Sequence, residues 1–173
     1  MEAPEGVLDD GIVGAQMWLA LPETTRHGPS RFDHHGDLPL AELGSGEVRV
    51  IAGDFGEARS PARVDHPTVG LDVSFRGEVT VPLKSTFEHG VVPLDHPVKV
   101  EDAIVEPGSL ALVPAGFDSL RIEERAGSAR FLLLGGEPFG VEIKMWWNFV
   151  ARTFDEITEA WRAWAERDDD RFD

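Results

Sequence analysis

Residues 82–145 read PLKSTFEHGVVPLDHPVKVEDAIVEPGSLALVPAGFDSLRIEERAGSARFLLLGGEPFGVEIKM, and this stretch decides the fold. Five short apolar runs follow one another in it: Glu88 to Leu94, Val98 to Glu101, Ser109 to Pro114, Ser119 to Glu124 and Ala129 to Gly135. Between them stand His96-Pro97, Glu106-Pro107-Gly108, Pro114-Ala115-Gly116 and Ala126-Gly127. These close turns, because proline fixes φ and glycine tolerates positive φ. Short runs separated by turn signals predict antiparallel strands rather than helices. The stretch therefore reads as one antiparallel sheet turning back on itself, which makes the chain all-β and the architecture a small β-barrel or jelly roll.

Working outward, residues 1–11 form an acidic lead-in carrying Glu2, Glu5, Asp9 and Asp10. From Ile12 to Leu21 the chain is apolar, with Val13, Met17, Leu19 and Leu21 opposed by Trp18, and a strand buried on both faces is expected there. Glu23 to Leu40 holds two prolines and three histidines and reads as a long surface loop. Glu47 to Phe55 alternates as a half-buried strand, and Glu57 to Thr68 is a second loop. Val69 to Arg76 and Glu78 to Leu83, joined at Gly77, are read as a hairpin feeding the sheet. A last strand is expected from Val141 to about Trp147.

The period then changes from two to 3.6. Thr153 and Glu156 stand at capping-box spacing, so a helix should begin at Phe154 and run to about Arg167. Its apolar stripe is Ile157, Ala160, Trp161, Trp164 and Ala165. The predicted organisation is a barrel domain over 12–152 followed by one C-terminal α-helix and an acidic tail over 153–173.

Composition excludes several functions. The 173 residues carry 16 basic and 32 acidic side chains, a formal charge of −16, which opposes direct nucleic-acid binding. With no cysteine there is no disulfide, thiolate metal site or cysteine nucleophile, and a reducing, cytoplasmic setting is expected. No apolar run reaches the roughly 18 to 20 residues of a membrane helix, and the N-terminus is acidic rather than basic-then-apolar, so no membrane association is expected.

The six histidines are His27, His34, His35, His66, His89 and His96. None forms His-x-His, and adjacent His34 and His35 would point to opposite faces of a strand. Glu88-His89 is the most suggestive pair because it opens the central sheet. No nucleophile elbow, P-loop or dinucleotide-binding glycine pattern occurs. No catalytic residue is therefore assigned.

Several segments resemble the second half of a pirin, a protein similar to two cupin barrels in tandem. They are Gly14-Ala15-Gln16-Met17-Trp18-Leu19-Ala20-Leu21-Pro22, Phe87-Glu88-His89-Gly90-Val91, Leu134-Gly135-Gly136-Glu137-Pro138-Phe139, and Met145-Trp146-Trp147-Asn148-Phe149-Val150 followed by Phe154-Asp155-Glu156-Ile157. The last set resembles the bacterial branch of the family. The resemblance implies a cupin-type barrel, and it places iron, held by three histidines and a glutamate, in a first barrel that would precede Met1. Laid on this chain, the general cupin pattern puts its first-motif histidines at Pro82 and Lys84, its glutamate at Glu88 and its second-motif histidine at Ser119. Three of four ligands are thus replaced, and no cofactor is expected in this chain. Lys84, Glu88, His89 and Ser119 are the candidate barrel-cavity residues, with the Lys84 ammonium expected to turn toward Glu88.

Three functions follow from the resemblance. The first is a degenerate, metal-free cupin acting as a binding or interaction module. The second is part of an iron-dependent quercetin 2,3-dioxygenase, not catalytic by itself, and the third is a regulatory protein similar to transcription cofactors. Trp18, Trp146, Trp147, Phe149, Trp161 and Trp164 are more large apolar surface than one small barrel needs, so they are the candidate interface. The expected partner is a second copy of the chain or a separate cupin-like chain.

Overall fold

A computed structural model of the chain describes residues 14–166. Fourteen strands and one helix follow in order among these residues. They are β1 (Leu40–Leu43), β2 (Gly46–Ala52), β3 (Asp54–Phe55), β4 (Ala58–Arg59), β5 (Thr68–Phe75), β6 (Glu78–Pro82), β7 (Glu88–Pro93), β8 (Val98–Val100), β9 (Ala103–Val105), β10 (Ala111–Val113), β11 (Ser119–Glu124), β12 (Ala129–Gly136), β13 (Lys144–Trp146), β14 (Phe149–Ala151) and α1 (Phe154–Ala165). The chain divides into two units, one of residues 22–142 and one joining 14–21 to 143–166.

The larger unit is a jelly-roll barrel of two antiparallel sheets, ordered β1-β2-β5-β12-β7-β10 and β6-β11-β8-β9. Period-two alternation sets its inside. On β12, Ala129, Phe131 and Leu133 are buried, and their register partners on β5 are Phe75, Val73 and Leu71. On β7, Val91 and Pro93 face the same two β12 residues, so an inward layer runs Val48, Val73, Phe131, Pro93 across four strands. Val79, Val81, Leu120, Ile122, Val98 and Val100 supply the opposing face, and all but the proline belong to one apolar cluster. Non-directional burial of this kind supplies most of the stability.

Polar pins hold the corners. At the outer face Arg130 grips buried Asp72 through Nε at 2.7 Å and Nη2 at 2.6 Å. The buried Glu124 carboxylate accepts from the amides of Gly77 and Gly127, both at 2.7 Å, tying together two turns whose glycines have φ of 69° and 95°. These donated hydrogen bonds hold the Glu124 carboxyl below its ordinary range against the opposing effect of burial.

Several expected strands are present almost as read, among them β7, β11 and β12, but four readings are corrected. Val69–Arg76 and Glu78–Leu83 do not form a hairpin: β5 belongs to the six-stranded sheet and β6 pairs with β11 in the other, so Gly77 carries the chain between sheets. Residues 14–21 form no strand, and Trp18, Leu19 and Leu21 are exposed. An apolar run becomes a strand only where a ladder accepts it, and among the described residues no strand pairs with this segment, whose Leu21 carbonyl accepts from Arg152 Nη2 at 2.5 Å. Residues 12 and 13 lie outside the described residues, as does the acidic tail. The run from Val141 yields only Lys144–Trp146, because the chain turns at Trp147 (φ 51°) and returns as β14. Finally, β4 lies inside the expected 57–68 loop, paired to β3 across Gly56-Glu57, while β1 starts at Leu40, the last residue of the expected 23–40 loop, and pairs to β2 across the two-residue turn Gly44-Ser45.

In the smaller unit, α1 packs on the β13–β14 hairpin. Thr153 is extended and its hydroxyl accepts from Glu156 N, as a capping residue should. The Glu156 carboxylate reaches back one residue further than the simplest box, to Arg152 N at 2.8 Å.

Candidate functional site

The strand register brings the cupin-motif positions together at one end of the barrel. Pro82 and Ser119 are direct cross-strand partners on β6 and β11, and Leu83 N donates to Asp118 O at 2.8 Å just beyond them. Lys84 does not turn to Glu88. Its Nζ lies 3.0 Å and 3.1 Å from the two carboxylate oxygens of Asp54, and 5.3 Å from the centre of the Phe87 ring.

Glu88 and His89 part company because they are neighbours on a strand. Phe87, His89, Val91 and Pro93 share one parity and are buried, whereas Glu88 is exposed. Glu88 is thus the candidate cavity residue that the structure moves to the outer surface, and exposed Ser119 also stands clear of the core. His89 is 4% exposed, and its Nδ1 has no hydrogen-bond partner. Burial lowers its pKa, since the imidazolium would lose its hydration. The sequence offered a signal for this split in Phe87, Val91 and Pro93, which have the parity of His89 and not of Glu88.

The donor set does not fit a transition metal. Proline has no donor atom, the Lys84 ammonium has no lone pair, Ser119 offers an exposed neutral hydroxyl, and Glu88 faces away. Among the described residues no group of three or more histidine, aspartate or glutamate side chains is arranged to hold an ion.

The second feature lies within the smaller unit. Trp146, Phe154, Ile157, Thr158 and Trp161 line a groove of about 410 Å³ between the hairpin and α1. Trp146 and Phe149 stack at 6.2 Å with planes 9° apart, and Trp147 meets Phe149 edge-on at 6.1 Å. Trp147 is 67% exposed, while Trp161 and Trp164 are about half exposed, at 46% and 51%. Of the expected interface residues, Trp146, Trp147, Phe149 and Trp161 are brought together, and Trp164 continues their side of α1 one turn on. Trp18 is exposed on the 14–21 segment. The sequence reading missed Phe154, which lines the groove and carries the Lys144 ammonium 5.2 Å over its ring. Its spacing of three and seven from Ile157 and Trp161 was the available signal.

Residues 69–172 match the pirin C-terminal cupin domain family. A protein of Pseudomonas aeruginosa named "Putative quercetin 2,3-dioxygenase" is 38% identical over 156 residues, covering 89% of this chain and 49% of that protein. Pirin-1 of Arabidopsis thaliana is 30% identical over 168 residues, covering 92% of this chain and 58% of its own. The crystal structure of quercetin 2,3-dioxygenase from Acinetobacter baumannii superposes with a TM-score of 0.79 at 37% identity, over 86% of this chain and 50% of that one. The chain thus spans about half the length of these relatives. No helix among the described residues is long and apolar enough to cross a membrane. The chain belongs to the pirin family, matching its C-terminal cupin domain.

Proposed function

We propose that this domain is a metal-independent cupin that works as an interaction module, receiving a partner barrel on the aromatic face of its C-terminal hairpin and helix. The observation that carries the reading is the groove between Trp146, Phe154, Ile157 and Trp161, with Trp147 and Trp164 exposed beside it. A contiguous patch of rings in water is costly, and such patches on proteins usually mark interfaces. A second copy of the chain is the first expected partner, because the same apolar patch on two copies can be covered on both by one two-fold contact. A separate cupin-like chain is the other. The ill-fitting donor set at Pro82, Lys84, Glu88 and Ser119 supports a role without a resident metal.

Sedimentation equilibrium at micromolar concentrations tests the self-association. The wild type should exceed its monomer mass of 19.0 kDa, and the Trp161→Ala, Trp164→Ala double variant should return to it. A monomeric wild type removes the homodimer. Elemental analysis of the purified chain should find no stoichiometric iron, nickel or zinc, and one metal per chain would sink the metal-independent reading.

A second reading draws on the relatives' names: the domain is part of a quercetin 2,3-dioxygenase whose iron sits on another barrel. It predicts no turnover of quercetin by this chain alone with added ferrous iron. Turnover that appears only when a metal-bearing cupin is supplied would favour it.

A further inference from the structure

The barrel unit contains a pocket of about 580 Å³, built from β3, β4, the 60–68 loop and Lys84, that the interaction reading does not use. Pockets of this size hold small organic molecules. Its charge runs against the rest of the chain. Where acidic residues outnumber basic ones two to one overall, the pocket lining holds Arg59, Arg63 and Lys84 against Asp54 and Asp65.

Two of the three cations are committed. Arg63 grips Asp65 through Nε at 2.7 Å and Nη2 at 2.6 Å, and Lys84 faces Asp54. Asp33, which also acts on Arg63, is itself paired with Arg31 at 2.8 Å. Arg59 is different: among the described residues no carboxylate lies in ion-pair range of it. It stands directly opposite Asp54 in the β3–β4 register, so its guanidinium is on the Asp54 and Lys84 face.

The walls are fixed in advance. Ser60 Oγ donates to Ile51 O at 2.7 Å and accepts from Ala62 N at 3.1 Å, pinning the loop to β2. His66 Nε2 is 2.6 Å from Glu137 O, and its ring stacks on Phe139 at 4.1 Å. Pro61, Val64 and Pro67 add rigid apolar surface. A guanidinium without a partner, on a stiff wall, presents a planar fork that matches the two oxygens of a carboxylate.

We infer that this pocket binds a small organic monocarboxylate with an apolar body, seated on Arg59. The charge argues for one negative charge rather than two. Three cations and two carboxylates leave a surplus of one, and a dianion would meet Asp54 and Asp65. The inference is independent of the aromatic face, which belongs to the other unit.

The test is a titration of the labelled full chain with sodium benzoate, followed by amide resonances at constant ionic strength. Benzamide serves as the uncharged isostere and inorganic phosphate as the dianion. Benzoate should shift amides between 59 and 68 saturably, with a Kd on the order of 1 mM. Benzamide and phosphate should each bind roughly tenfold or more weakly. Arg59→Gln should lose benzoate by about the same factor while keeping a dispersed spectrum, and Arg49→Gln, elsewhere on the barrel, should bind normally. Arg59→Lys keeps the charge without the fork and should fall between. Shifts that do not saturate by about 50 mM, benzamide matching benzoate, or phosphate binding tighter would each overturn the inference. So would an Arg59→Gln chain that binds as well as the wild type.

Discussion

His89 and Gly135 are partners in register on β7 and β12, and each explains the other. A Cβ at Gly135 would fall 2.6 Å from His89 Cδ2 and 2.8 Å from Glu88 O, so the inward imidazole has room only because its neighbour lacks a side chain. Gly135→Ala is expected to cost about 1–3 kcal/mol in urea unfolding, since both backbone and a buried ring must shift. His89→Ala in the same background should recover part of that loss, which would identify the ring as the obstacle. Burial holds His89 below the ordinary imidazole value of 6.5, so the unfolded chain takes up a proton that the folded one refuses. Stability should therefore fall as pH drops below 6.5 toward the folded-state value. Glu124 acts lower down. Its depressed pKa stabilises the fold above the ordinary 4.5 and ceases to do so as pH falls through the folded value. Denaturation midpoints between pH 7 and 5 should flatten in His89→Leu and stay steep in Glu124→Gln.

At the scale of elements, the helix and the strands differ in how much of them the sequence discloses. The α1 start was legible because Thr153 satisfies an amide that any helix leaves orphaned and Glu156 reaches back to the backbone just before the cap. Thr153→Ala should cost about 1 kcal/mol and visibly fray the first turn by circular dichroism. The strands around β12 were legible because short apolar runs there are bounded by turn residues such as Pro114-Ala115-Gly116 and Ala126-Gly127. The partnership of β5 and β6 was not, since Gly77 permits a tight hairpin and a crossing between sheets equally well. The end nearer the N-terminus misled for a related reason. Residues 14–21 look apolar enough for a strand, but hydrophobicity does not reveal where a ladder is on offer. The site shows the same division: motif positions found Pro82, Lys84 and Ser119 at one barrel end, while only strand parity tells that Glu88 faces out and His89 in. The Lys84–Asp54 pair joins residues 30 apart through the fold and had no local signature.

For the whole molecule, charge and apolar surface oppose each other. In the proposed dimer, two copies each carrying −16 would repel while their tryptophan faces would attract. Association should therefore strengthen as salt rises from about 0.01 M to about 1 M, over which the screening length falls from about 30 Å to about 3 Å. Sedimentation across that range checks it, and association weakened by salt would mean that ion pairs, not rings, hold the dimer. Phe131 joins the core across several strands, and Phe131→Ala should remove about 3–5 kcal/mol. The position of β12 has a consequence in time as well as in space. It lies between β5 and β7 and is the only link between β1-β2-β5 and β7-β10 in the six-stranded sheet. A chain leaving the ribosome thus holds two fragments of sheet with bare inner edges until residues 129–136 emerge, and no earlier strand can close the gap. Translation order leaves those edges bare for most of the barrel's synthesis, and nascent chains arrested before residue 129 should aggregate where those arrested well past 136 stay soluble.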